Sequence, residues 1–269
     1  MPDIFSLIQN WWKQILAVVV FSLLTVGVIT FLKPQQYLSV ATAVPASSFA
    51  ADRSKIFNEN VQALYSALGT PDDLDMILGT AKLDTVYLAV TDQFNLFDHY
   101  KTSEKGEAAR RKAASRLKKN TKVMKSEYGE LKVKVWDTDN NLAPQLANTI
   151  MNELQSIHQN LQSAGNESAL NGLMKGKAKL QMQIDSSLMS PEKRPEFLKR
   201  IEEYEKLIGE YQLMVDSKPP SIIIVEQAKS SNWPDRPRRI QVMIATGMLS
   251  FLFALLAALV LQRRKTSNQ

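Results

Sequence analysis

Two apolar runs, Ile15 to Leu32 and Ile240 to Leu261, bracket this chain, and neither contains Asp, Glu, Lys or Arg. At a rise of about 1.5 Å per residue, each is long enough to cross a hydrocarbon core of about 30 Å. Both are therefore read as membrane-spanning helices, and the charged stretch between them as a tethered loop. Trp11 and Trp12 stand before the first run, Tyr37 after it and Trp233 before the second, where amphipathic rings favour a water boundary.

Two bland readings compete with this one. The first run could be a cleaved signal sequence, with Ala41-Thr42-Ala43 as the small-residue cleavage site. It is longer than an ordinary signal core, and the alanines lie about ten residues too far downstream. The second run could be a buried core helix, but soluble cores seldom hold so long and uniformly apolar a stretch. Two spans place both termini on one side of the membrane. Local charge leaves that side open, because Lys13, Arg263, Arg264 and Lys265 in the tails face Arg236, Arg238 and Arg239 at the loop end of the second span. A loop this long crosses largely regardless of its charge. The absence of cysteine fits an oxidising compartment without disulfides and equally a reducing one.

The net charge of +6 is unevenly spread, with ten Lys or Arg between Lys101 and Lys125 against Glu104 and Glu107. Such a run could attract phosphate or an acidic glycan. The preferred reading is a solvated helix whose Ala109, Ala113 and Leu117 form a thin apolar seam.

Periodicity divides the loop into an α/β base and a helical arm. Tyr37 to Val44 alternates as a strand closed by Pro45. Asp52 to Leu68 reads as a helix, Pro71-Asp72-Asp73 opens another with Thr70 as N-cap, and Asp84 to Tyr100 is a third helical stretch. In a second strand, Gly129 to Asp137, Leu131, Val133 and Val135 face one way while Lys132 and Lys134 face the other. Ser221 to Val225, β-branched and bounded by Pro219-Pro220, is expected as a central strand of the same three-stranded sheet.

Between the second and third strands, Leu142, Leu146, Ile150, Leu154, Ile157 and Leu161 recur at helical steps, and the pattern continues after Gly165-Asn166 as far as Leu188. Ser190-Pro191-Glu192 then starts a new helix. There Phe197, Ile201, Tyr204, Ile208, Tyr211 and Val215 alternate four and three, the spacing of a coiled-coil seam. The expectation is a hairpin whose helices are each about 30 to 37 Å long.

Catalytic signatures are missing. His99 and His158 belong to separate helical segments with no H-E-x-x-H pattern, and Gly172 to Lys177 departs from the phosphate-binding-loop spacing. Neither a cysteine nucleophile nor a G-x-S-x-G elbow is present. The chain is read as non-enzymatic, with no catalytic, cofactor-binding or metal-ligating residues assigned.

Candidate working surfaces lie near the second span. Pro234 and Pro237 hold its approach extended and stiff, which would couple the base to the span, and Arg238 and Arg239 stand at its mouth. Ser250, Ala254 and Ala258 recur every four residues, a small-residue face that lets another helix come close. Incidental use of alanine is the competing account.

Four passages in this order resemble the chain-length determinant family, the Wzz-type polysaccharide co-polymerases of the bacterial inner membrane. They are the strand Tyr37 to Val44 after the first span; Leu74 to Gly79 leading to Phe94-Asn95-Leu96; Gly129 to Val135 with Asp137, Asp139 and Ala147-Asn148; and Ile222 to Ala228 followed by Pro234 and Pro237. The likeness covers essentially the whole chain. Asn140-Asn141 and Ser230-Ser231 depart from it, standing where the family often has proline. The kinase domain that some relatives carry is not expected here, since Gln262 to Gln269 alone follow the second span.

The resemblance implies an α+β membrane protein in which two transmembrane helices flank an extracytoplasmic domain. Its parts would be cytoplasmic tails at 1–14 and 262–269, spans at 15–32 and 240–261, a membrane-proximal base at 33–142 and 217–239, and a projecting arm at 143–216. The loop would be periplasmic, which excludes nucleic acid. It further implies a homo-oligomeric ring acting with an integral-membrane polymerase to set the length of a lipid-linked surface polysaccharide such as O-antigen. The alternative is an export adaptor working with a separate kinase or ATPase and an outer-membrane channel.

Overall fold

The computed structural model describes residues 4–46, 69–185 and 194–267. The helix expected at Asp52 to Leu68 and the helix start at Ser190-Pro191-Glu192 lie outside the described residues. The two long apolar helices with short flanking segments make one compact unit, and the sheet with its helices makes another.

In the first unit, helix α1 spans Ile4–Leu32 and the last helix of the chain spans Arg239–Ser267. The stretches Ile8–Leu32 and Arg239–Gln262 are each long and apolar enough to cross a membrane. Helix α1 begins well before Ile15, so residues expected as a tail form its opening turns. The two helices run antiparallel: Arg239 lies over Phe31, Gly247 faces Leu23, and Ala254 and Ala258 pack on Ile15. Phe21, Leu24, Leu249 and Phe253 stay about two-thirds exposed or more, at 73, 64, 68 and 68%. Apolar surface of that extent is what a bilayer covers and water does not.

The second unit is built on a four-stranded sheet of order β2-β3-β1-β4, from β1 (Tyr37–Pro45), β2 (Thr121–Lys125), β3 (Leu131–Asp137) and β4 (Ile222–Glu226). Strands β2 and β3 form an antiparallel hairpin from Thr121↔Val135 to Lys125↔Leu131. Its turn uses Gly129 at φ +76°, and the Ser126 hydroxyl accepts from the Glu130 N–H at 3.2 Å. Strand β4 pairs antiparallel with β1, the register shifting between Thr42 and Ala43.

Two expectations are corrected here. The sheet has four strands, because Thr121–Lys125, read as the end of a basic helix, pairs with β3. Strand β4 is an edge, because it pairs with β1 alone in the sheet order, and Val225 is left 60% exposed.

Short helices share the sheet's core: α2 (Pro71–Thr80), α3 (Asp84–Phe94), α4 (Leu96–His99) and α5 (Glu107–Lys119). Thr70 caps α2, as expected, and the structure adds a reciprocal box with Asp73. Asn95, at φ 47° and ψ 46°, breaks the expected Asp84 to Tyr100 stretch into α3 and α4. Asparagine tolerates that left-handed conformation better than most residues.

Leu131, Val133 and Val135 of β3 are fully buried, in one core with Val86, Val90, Leu96 and Leu117. Helix α6 (Leu142–Asp185) contributes Leu146, Ile150, Met151 and Leu154 to the same core. It runs unbroken through Gly165, 44 residues in all and about 66 Å long, so the expected hairpin length holds for its partner alone. That partner, α7 (Arg194–Ser217), has 24 residues, or about 36 Å. Its half-buried seam from Phe197 to Val215 is the expected one, with Met214 fully buried beside it.

Candidate coupling and interaction surfaces

The segment after β4 is held at two levels. The Ala228 N–H donates to Asn148 Oδ1 at 2.8 Å, and Asn148 Nδ2 donates to the Ala228 carbonyl at 3.2 Å. The Ser39 hydroxyl donates to the Lys229 carbonyl at 2.9 Å. Further on, the Gln36 N–H donates to the Arg236 carbonyl and the Asp235 N–H to the Gln36 carbonyl, each at 2.9 Å. Pro234 and Pro237 therefore fall on either side of a short backbone bridge to the chain leaving α1. Pro cannot donate, so the bridge uses the residues between them.

Arg238 and Arg239 differ sharply. Arg238 Nη2 donates to Asp235 Oδ1 at 3.0 Å. The Arg239 guanidinium lies 4.5 Å from the centre of the Phe31 ring, and its Nε is buried without a hydrogen-bond partner. Phe31 and Gln36 escaped the sequence reading, since their partners lie some two hundred residues away.

The last helix, α8 (Arg239–Ser267), buries Ser250, Ala254 and Ala258, which are only 9, 5 and 4% exposed. The helix that their small side chains admit is α1 of the same chain, where Ile15 and Trp11 complete the cluster. The Ser250 hydroxyl donates to the Gly247 carbonyl at 3.1 Å, within its own helix.

Half of the ten cations between Lys101 and Lys125 pair with neighbouring carboxylates. Arg110 grips Asp92 in a two-point pair, Nε to Oδ1 at 2.7 Å and Nη2 to Oδ2 at 2.6 Å. Arg111 reaches Glu107, Lys112 reaches Glu104 and Lys118 reaches Asp84. The hydrogen bonds from Arg110 hold the Asp92 carboxyl below its usual range, and those from Arg111 and Arg110 do the same for Glu107. Ala109, Ala113 and Leu117 are buried beneath, so α5 is the expected solvated helix with an apolar seam. Pairs this exposed contribute little stability.

In the arm, a Cβ added at Gly176 of α6 would stand 2.8 Å from Tyr204 Cε1 and 2.9 Å from its hydroxyl oxygen. The missing side chain seats the Tyr204 ring of α7. One residue on, Lys177 Nζ pairs with Glu205 Oε1 at 2.7 Å. His158, nearer the base, is 2% exposed, with Nε2 buried and unpartnered. Desolvation lowers its pKa. Among the described residues, no three His, Asp or Glu side chains cluster to hold a metal ion.

No protein-family model matches the chain, and neither does any curated protein. Among solved structures it is similar to a full-length bacterial polysaccharide co-polymerase, at 11% identity and a TM-score of 0.42, over 100% of this chain and 98% of that one. It is also similar to a fragment of WzzB, a polysaccharide co-polymerase from Salmonella Typhimurium, at 10% identity and a TM-score of 0.42. That match covers 76% of this chain and 100% of the fragment.

Proposed function

We propose that this chain is a non-enzymatic polysaccharide co-polymerase of the chain-length determinant kind. It is a two-pass protein of the bacterial inner membrane, with both termini cytoplasmic and the loop periplasmic. The observation that carries this reading is the meeting of Asn148 with Ala228. These residues belong to two of the passages through which the sequence resembles that family, 80 positions apart, and they join by paired hydrogen bonds.

In this scheme the antiparallel spans anchor the chain, and the α6–α7 arm presents a long surface to further copies in a ring. The segment carrying Pro234, Pro237, Arg238 and Arg239 passes contacts in the base to the second span and to the polymerase that extends a lipid-linked glycan. Deleting the chain and resolving surface polysaccharide on a gel tests it. Loss of the favoured chain length, with export intact, is expected. An unchanged length distribution with lost export would instead identify an export adaptor.

A further inference from the structure

A groove of about 520 Å³ runs between α1 and α8, lined by Val18, Phe21, Thr25, Thr246, Leu249 and Phe253 among others. That volume falls within the range of about 300–1,000 Å³ typical of small-molecule sites. Its threonine hydroxyls are turned back onto their own helices: Thr25 donates to the Phe21 carbonyl at 2.9 Å and Thr246 to the Val242 carbonyl at 2.8 Å. They offer no free donor to a neighbouring helix. Phe21 and Phe253, 73 and 68% exposed, flank it with bulky apolar side chains. The groove therefore suits a slender apolar chain.

The charge at one end narrows the occupant further. On a helix turning about 100° per residue, Arg239 shares a side of α8 with Thr246, Ser250 and Phe253, and lies about 10 Å along the axis from Thr246. Lys33 follows the end of α1 directly and is exposed. Among the described residues, no carboxylate pairs with either cation. Two cations about two helical turns beyond an apolar groove match a phosphate at the membrane surface with its chain extending inward.

We infer that the α1–α8 groove binds an anionic phospholipid, one acyl chain lying between the helices and the phosphate held by Lys33 and Arg239. This rests on the membrane-spanning reading of the two helices and is independent of any role in polysaccharide assembly.

The test is native mass spectrometry of the full chain released from nanodiscs containing equal amounts of phosphatidylglycerol and phosphatidylcholine with identical acyl chains. Phosphatidylglycerol is expected to be retained preferentially, and Lys33→Gln or Arg239→Gln to lower that preference roughly fivefold each. Lys229→Gln, which removes the same charge outside the helix pair, should leave it unchanged. Thr246→Trp, which fills the groove, should abolish retention while insertion persists. Equal retention of both lipids, or an equal effect of Lys229→Gln, overturns the site. Efficient disulfide cross-linking of Thr25→Cys chains to one another also overturns it, by showing a second copy in the groove. A chain that fails to enter the discs overturns the membrane reading beneath it.

Discussion

Asn148 of α6 and Ala228 after β4 are joined by two hydrogen bonds, Ala228 N–H to Oδ1 at 2.8 Å and Nδ2 to the Ala228 carbonyl at 3.2 Å. The side-chain amide thus satisfies both backbone polar groups of a residue only 7% exposed, at a place where the chain has left its strand.

Replacing Asn148 with Ala leaves both Ala228 groups buried and unpaired, which costs about 1–3 kcal/mol for each such group. The expected result is a fall in thermal midpoint of several degrees, at about 2–4 °C per kcal/mol for a chain of this size. Asn148→Asp keeps the acceptor for the Ala228 N–H and loses the donor, so it should fall between Ala and the parent. Circular dichroism melts of the detergent-solubilised chain rank the three, and equal midpoints would contradict the clamp.

Elements governed by neighbouring residues were legible in the sequence. The two spans, the Thr70 cap and the in-out alternation of Leu131, Val133 and Val135 each follow from side chains within a turn or two of one another. Strand β2 was not, because Lys122 and Lys125 continue the basic pattern of α5 and the segment becomes a strand through pairing with β3. The central or edge position of β4 was hidden for a related reason: a β-branched run reads alike in both places. Gly165 in a helix interior costs about 1 kcal/mol relative to Ala, too little to end a helix without a turn-forming neighbourhood. The pairings near the second span were not legible. Ser250, Ala254 and Ala258 announce a close helix, but their spacing does not identify α1 as that helix.

Gly176→Ala sets two effects against each other. Alanine favours an isolated helix by about 1 kcal/mol over glycine. Its Cβ would meet Tyr204 at 2.8 Å, an overpacking that costs about 1–3 kcal/mol. The expected outcome is a net loss of stability, reversed by Tyr204→Leu in the same chain. Gly172→Ala, where no atom lies within 4 Å, should be neutral or stabilising. A double-mutant cycle by chemical denaturation reads the coupling, and additive effects at 176 and 204 would argue against the contact.

His158 predicts an acid-sensitive arm. Burial lowers its folded-state pKa below the unfolded value, so the unfolded chain binds the extra proton first. Stability is then fully present above about pH 6.5 and declines as pH falls below it, by up to about 1.4 kcal/mol per pH unit, until the folded form also protonates. His158→Leu should flatten this part of the melting-temperature profile between pH 7.5 and 5.5. An unchanged slope in the variant would assign it to other groups.

The pairing of α1 with α8 can be tested directly, because the chain has no cysteine of its own. Ile15 and Ala254 are 5% exposed each and share one cluster, whereas Gly247 faces Leu23, about two turns further along. Ile15→Cys with Ala254→Cys should therefore oxidise to a faster-migrating monomer in membranes, and Ile15→Cys with Gly247→Cys should stay reduced. If two copies exchanged helices instead, the first pair would yield a covalent dimer, and mixing differently tagged chains would give a mixed species. The antiparallel pair within one chain predicts none of that dimer at low expression. The side chains on α8 at stake are an alanine and a glycine, so their exchange for cysteine adds little volume. The comparison then rests on position along the helices, the property that distinguishes this pairing from a parallel or shifted one.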